Sequence, residues 1–230
     1  MQKNPKYTPP LPLAFSYFTS NGETGLHLAL SIDGLNWQSV NNGESLFRSE
    51  VGDENLMRDP FILPDPDGSG YHCLWTTGWR GRSIGYAFSP DLITWSEGRA
   101  LSVLDALPGG RNAWAPEAIF DETTGEYLIF FSVMQPEQYE GHRMYGVRTK
   151  DFHKVSPAEM FYDPGFSVID AHLIQDPARD RWVMIVKDER EGHKHLFACT
   201  GPSPLGPWSV SVNPVAGHLT EGATSFETKE

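Results

Sequence analysis

Positive charge is scarce in this chain: 18 Lys and Arg face 30 Asp and Glu, a formal net charge of -12 over 230 residues. No basic block offsets the deficit, so neutralisation of a phosphate backbone, the main source of nucleic-acid affinity, has nothing to work with. Cysteine is nearly absent. The two present, Cys73 and Cys199, each sit inside an apolar, strand-like run and read as small buried hydrophobes rather than a disulfide framework, which leaves the compartment open. Long apolar runs are missing too. Nothing approaches the roughly 18 residues of a membrane-spanning helix, and prolines interrupt the N-terminal stretch where a signal peptide would lie. The chain as given therefore reads as soluble, either cytoplasmic or secreted with a signal already removed. Sustained helical periodicity is lacking. So are a His, Cys and Asp cluster at zinc spacing and a Gly-rich loop ahead of a helix, and no redox or nucleotide cofactor is indicated.

What is there suits a β-fold. Hydrophobic residues make up 39% and aromatics 12%, enough for one sizeable domain with its own core. With Gly 22 and Pro 18, roughly one residue in six is a turn-former, which fits many short strands better than a few long helices.

A Ser/Thr-x-Asp-x-x-x-Trp pattern recurs with decaying fidelity. It reads SIDGLNW from Ser31 to Trp37, SPDLITW from Ser89 to Trp95 and, more weakly, TKDFHKV from Thr149 to Val155, with GPSPLGPW closing a fourth unit at Trp208. Upstream of the last three copies the order of elements is constant: an opening segment, a turn, an apolar strand and a second strand. The unit from Pro60 gives FIL, PDPDGSG, YHCLWTT and SIGYAFS; the one from Pro116 gives AIF, DETTGE, YLIFFSV and RMYGVRT; the next gives HLI, QDPARDR, WVMIVKD and HLFACTG. Four short strands on a period of about 50 to 60 residues make a propeller blade with generous loops. The predicted repeats span approximately 14–48, 58–100, 113–157 and 168–210, with only the start of a fifth at 219–230. The first unit lacks an opening strand, and the fifth lacks everything after its own. The expected fold is all-β, a single five-bladed β-propeller domain incomplete at its C-terminus by about 50 to 80 residues.

The opening segments carry acids: Asp59 in LMRDPFIL, Glu117 in WAPEAIF, Asp170 in SVIDAHLI and Glu221 in LTEGATSF. Innermost strands of a propeller line one central channel, so acids in near-register with the repeat are expected to converge there. Clustered carboxylates repel and raise the pKa of at least one, and a neutral acid beside an ionised base is what glycosidic hydrolysis requires. Any one of the four, taken alone, reads as well as a turn or a solvated loop; their phase is what argues for a site.

Arg-Asp-Pro, Trp-Ala-Pro-Glu, Ile-Asp and Glu-Gly follow in that order at blade spacing, and with them the chain resembles glycoside hydrolase family 43 from Phe15 to Glu221. The resemblance implies release of arabinose or xylose from plant polysaccharides, as an α-L-arabinofuranosidase or a β-xylosidase, by an inverting mechanism. It implies Asp59 as the general base that activates water, Glu221 as the general acid that protonates the departing oxygen, and Asp170 as the residue that tunes and orients that acid. Glu117 falls on a position that is not usually catalytic. Room for the water calls for a carboxyl separation of about 6.5 to 9.5 Å. The family often reads Glu-Gly-Pro at the acid, where this chain has Ala223. Some relatives hold a calcium ion in the channel, so the resemblance allows a structural calcium but requires no cofactor and marks no metal ligand. The expected partner is an oligosaccharide or polysaccharide.

The resemblance also places Trp114 as an aromatic wall of the sugar site, since sugar C–H faces pack on such rings. Trp75 and Trp79 flank the TTGWRGR loop and are candidates to border the cleft. Arg143, opening a strand near the expected rim, is a candidate donor to a sugar hydroxyl. His172, two residues past Asp170 on the same strand face, is a candidate to support it. Trp37, Trp95 and Trp208 read as outer-strand packing. Two other functions compete. A fructan-cleaving propeller shares Arg-Asp-Pro, but its Asn-Asp-Pro-Asn opening is missing here. A non-catalytic carbohydrate-binding or scaffold propeller would keep the acids as remnants, and convergence of Asp59, Asp170 and Glu221 beside Trp114 is what separates the two classes. Pentose, linkage and oligomeric state have no readable code.

Overall fold

The computed structural model describes residues 12–138, 140–209 and 213–225. In it the recurring Ser/Thr-x-Asp motif is a turn device. Ser31 Oγ accepts from the backbone N–H groups of Asp33 and Gly34 at 3.3 and 2.8 Å, and Asp33 Oδ1 accepts from those of Leu35 and Asn36 at 2.9 and 2.8 Å. Ser89 with Asp91, and Thr149 with Asp151, repeat the pattern on their own following residues. These side chains satisfy backbone donors that a chain reversal leaves without ladder partners, so each motif ends one strand and starts the next.

The strands form four antiparallel sheets in chain order. The first holds β1 (Leu13–Tyr17), β2 (His27–Ser31) and β3 (Gln38–Ser39). The second holds β4 (Arg58–Pro64), β5 (Tyr71–Thr76), β6 (Ile84–Ser89) and β7 (Arg99–Leu101). The third holds β8 (Trp114–Asp121), β9 (Glu126–Met134), β10 (His142–Thr149) and β11 (Glu159–Tyr162). The fourth holds β12 (Val168–Asp176), β13 (Arg181–Asp188) and β14 (His195–Gly201). Beyond β14 an isolated bridge joins Phe197 to Pro214; residues 210–212, beside the end of the fourth predicted unit, lie outside the described residues.

The middle sheets are buried on both faces. Along β9, Tyr127, Ile129, Phe131 and Val133 enter one core with Leu74, Ile84 and Tyr86, while Leu128 and Phe130 enter the next with Met144, Met184 and Phe197. A strand covered on both sides needs no polar alternation, which is why YLIFFSV reads as an unbroken apolar run. A third core joins the first and second sheets through Leu26, Leu28, Cys73 and Ala87. Successive sheets thus pack face to face, and their inner strands gather, β8 lying against β4 on one side and β12 on the other. Both cysteines are buried free thiols, as expected.

Trp75 departs from expectation. It is 0% exposed, meets Phe47 edge-on and lies across its cross-strand partner Gly85, where a Cβ would fall 1.9 Å from Trp75 Cε2. It is a core residue and borders no cleft, because β5 has neighbouring sheets on both faces. Among the described residues no helix is long and apolar enough to cross a membrane.

Candidate active site

The inner strands share one backbone device. β4, β8 and β12 each break register once, between Arg58 and Phe61, between Trp114 and Glu117, and between Ile169 and His172. At each break one residue takes a left-handed backbone: Asp59 at φ 49°, Ala115 at 45° and Asp170 at 57°. Such conformations cost about 1–3 kcal/mol each, and their recurrence at one place in three strands marks a built bulge that re-aims a side chain. Aspartate bears the strain better than most residues. A hydroxyl from the preceding sheet braces the later two bulges: Thr76 Oγ1 accepts from Ala115 N at 2.8 Å and Ser132 Oγ from Asp170 N at 3.2 Å. Thr76, Ser132 and Lys187 occupy equivalent places, opposite Arg58, Trp114 and Ile169.

This equivalence revises the expectation of an acid at the same point in every repeat. RDPF, WAPE and IDAH correspond residue for residue, so the counterpart of Asp59 and Asp170 is Ala115, and Glu117 corresponds to Phe61 and His172. The proline shared by the first two segments was the sequence signal for that alignment. In the last segment positive φ falls on Leu219 and on Gly222, either side of Glu221 and not on it.

Asp59 and Asp170 line one cavity of about 860 Å³, together with Glu117, Phe18 and Ser225. Glu221 stands at its edge, next to the lining residue Gly222, with its side chain 62% exposed and its carboxylate bonded by Lys187 Nζ. The buried Lys187 also reaches Glu189 Oε2 at 2.9 Å. Nothing in the sequence singled out this lysine; only its strand register identifies it.

Burial drives the Asp170 carboxyl up from 3.8 to about 7, the negative charges of Asp59 and Glu221 push in the same direction, and Lys187 opposes them. Asp59 is raised as well, again chiefly by burial, with the Thr76 hydrogen bond and Arg58 pulling it back and the Glu221 charge adding to the rise. The charges of acids far apart in sequence thus act on Asp170, and that of Glu221 acts on Asp59 as well, as clustering of carboxylates requires. Asp170 can thus hold a proton near neutrality beside other carboxyl groups, an arrangement that acid–base catalysis can use.

Glu117 is also raised by burial, against a hydrogen bond from His172. His172 Nδ1 lies 2.8 Å from Glu117 Oε2 and its Nε2 lies 2.9 Å from Ser225 Oγ. The imidazole thus ties β8 to the segment after Glu221, and its hydrogen bonds go to these two residues rather than to Asp170.

Trp114 is not among the residues that line the cavity, although the next residue, Ala115, is; it stands with Trp79, edge to face at 5.8 Å, its Nε1 donating to the Trp79 carbonyl at 3.1 Å and its ring stacked on His142 at 4.7 Å. Arg143 is not at the rim. Only 6% of its side chain is exposed, and the guanidinium pairs with Asp163 and donates to the carbonyls of Glu140 and His142. A cation so buried needs those partners, which removes it from contact with a sugar. Trp95 and Trp208 pack on core clusters as expected, whereas Trp37 rests on Phe15 and lines the cavity. Among the described residues no group of three or more His, Cys, Asp or Glu is placed to hold a metal ion.

Residues 12–230 match a family described as a probable glycosyl hydrolase domain, related to glycoside hydrolase family 43. An α-L-arabinofuranosidase of Bifidobacterium longum is 25% identical over 201 residues, covering 74% of this chain and 18% of that protein. Solved structures of the same fold include an α-L-arabinofuranosidase of Podospora anserina with cellotriose bound (15% identity, TM-score 0.62, 89% of this chain and 65% of that one). An endo-1,4-β-xylanase of Bacteroides thetaiotaomicron (15%, 0.64, 91% and 75%) and an α-L-arabinofuranosidase of Clostridium thermocellum (13%, 0.64, 89% and 69%) share it. The chain spans only part of each of these proteins.

Proposed function

The chain belongs to this family of probable glycosyl hydrolase domains related to family 43, and we propose that it removes terminal or side-chain pentosyl residues, α-L-arabinofuranosyl before β-xylosyl, with inversion. The observation that supports this most directly is the presentation of Asp59 and Asp170 by the same bulge into one cavity, with Asp170 lifted to about 7. On this reading the four sheets are blades of a five-bladed propeller, and the segment carrying Glu221 opens the fifth.

Asp59, whose ionised form Thr76 and Arg58 favour, takes a proton from the water that attacks the anomeric carbon. Glu221 protonates the departing oxygen from the opposite face, and Asp170 tunes that acid through its charge. One observation favours a second assignment. Glu221 meets Lys187 as an ion pair, while Asp170 is the acid lifted to about 7, which suits Asp170 to donate the proton and Glu221 to tune it.

The test is release of pentose from aryl α-L-arabinofuranosides and aryl β-xylosides, with Asp59→Asn expected to abolish it. A dinitrophenyl leaving group departs without a proton, so the variant that keeps activity on that glycoside while losing it on a poor leaving group identifies the acid: Glu221→Gln on the first assignment, Asp170→Asn on the second. A first-formed product of retained anomeric configuration, seen by proton NMR, overturns inversion. Sugar binding without turnover, unchanged by Asp59→Asn, replaces the enzyme with a binding module.

A further inference from the structure

We propose that Trp79 forms a second sugar site on the rim, which holds the neutral pyranose chain from which the pentose is cut. This deepens the reading above and rests on it. Trp79 keeps 47% of its surface exposed although the Arg58 guanidinium covers the ring at 4.2 Å and the Trp114 ring meets it at 5.8 Å. Nearly half of the residue therefore stays open to water despite both neighbours. What sets this exposed ring apart from a solvated side chain is that it is held in place and lies beside the strand that carries Asp59. Trp79 Nε1 donates to Asn21 Oδ1 at 3.1 Å, Arg58 Nη1 donates to the same oxygen at 2.9 Å, and the Trp79 carbonyl accepts from Trp114. A ring fixed before the ligand arrives adds little ordering cost to binding.

The surroundings select the ligand. The indole N–H is already used, so the exposed ring offers no hydrogen-bond donor and suits a flat C–H face such as that of a pyranose. The Arg58 charge is spread over two rings and the Asn21 carbonyl groups, so the ledge makes no demand for an anion. Its place relative to the cavity selects the part of the substrate. Arg58 and Trp114 directly precede the bulge residues Asp59 and Ala115, and Phe18, 4.9 Å from the Arg58 guanidinium, lines the cavity. A pentose in the cavity leaves its leaving group at this ledge.

Two measurements test the proposal. In the first, calorimetric binding of unbranched xylohexaose and cellohexaose is compared for the unaltered protein, Trp79→Ala and Trp79→Phe. Alanine is expected to weaken binding by about tenfold and phenylalanine to restore most of it. In the second, kcat/KM is compared on an arabinosylated xylo-oligosaccharide and on an aryl arabinofuranoside. Trp79→Ala is expected to lose about tenfold more on the oligosaccharide, mainly through KM. Equal oligosaccharide affinity in the unaltered protein and Trp79→Ala, or equal losses on both substrates, overturns the rim site. If the unaltered protein hydrolyses neither substrate yet oligosaccharide binding still depends on Trp79, the glycosidase reading fails and the rim site stands.

Discussion

Replacing Asp170 with Asn is expected to stabilise the protein at neutral pH, by an amount that fades in acid. Asparagine has the same shape and is among the few residues that accept a left-handed backbone, so the bulge at φ 57° is kept. The Asp170 carboxyl rises from 3.8 to about 7 on folding, so the folded chain holds this proton more tightly than the unfolded one. Its contribution to stability is complete below the unfolded value and is lost as pH climbs through the folded value. A rise of about three pH units corresponds to about 4 kcal/mol, an upper bound because Asp170 lines the cavity, where water screens the charge. For a chain of this size 1 kcal/mol moves Tm by about 2–4 °C, so the gain at pH 8 is at most about 8–16 °C and vanishes near pH 4. Thermal unfolding of both proteins across that range reads it directly. A Tm difference that does not change with pH, or an Asp170→Asn protein less stable at pH 8, refutes the idea that a buried, repelled charge sits there.

The same field predicts opposite responses at Asp170 from two neighbours. In carboxyl-selective ¹³C NMR, Asp59→Asn is expected to lower the Asp170 midpoint by roughly one pH unit, and Lys187→Met to raise it by a similar amount, because one change removes a repelling charge and the other an attracting one. Gly85→Ala drives a methyl into the Trp75 indole and is expected to cost about 1–3 kcal/mol in urea unfolding, with the m-value unchanged. Ala115→Gly relieves a left-handed backbone at φ 45° and is expected to stabilise by about 0.5–1 kcal/mol, since the relief exceeds the added freedom of the unfolded chain.

The order of turns and strands could be read from the sequence because it is written locally. Ser31, Ser89 and Thr149 cap their own turns through atoms two and three residues away, and the double-sided burial of β9 shows as an unbroken apolar run. The burial of Trp75 is legible in the same way, from its place in the apolar run YHCLWTT, whereas its position beside the TTGWRGR loop points the other way. Arg143 was not legible, since its partner Asp163 comes from the connection after β11. Nor was the site of Lys187, which depends on pairing of β12 with β13.

The candidate site in this chain arises where a repeat that the fold otherwise keeps is broken. One bulge place reads Asp59, Ala115 and Asp170 in successive sheets, and the place opposite the residue before it reads Thr76, Ser132 and Lys187. A hydroxyl at that second place serves the scaffold, accepting the backbone N–H of the next bulge at Ala115 and Asp170. In the fourth sheet an ammonium stands there instead. It has no lone pair with which to accept such a bond, and its charge is met by Glu189 and Glu221. The substitution that ends the bracing pattern therefore also recruits the last acid. Left-handed strain and a buried carboxyl are both unfavourable at Asp170, and the apolar faces shared between sheets must hold them in place. This accounts for a candidate site whose residues are far apart in the chain and whose charges are set by two positions within an otherwise repeated unit.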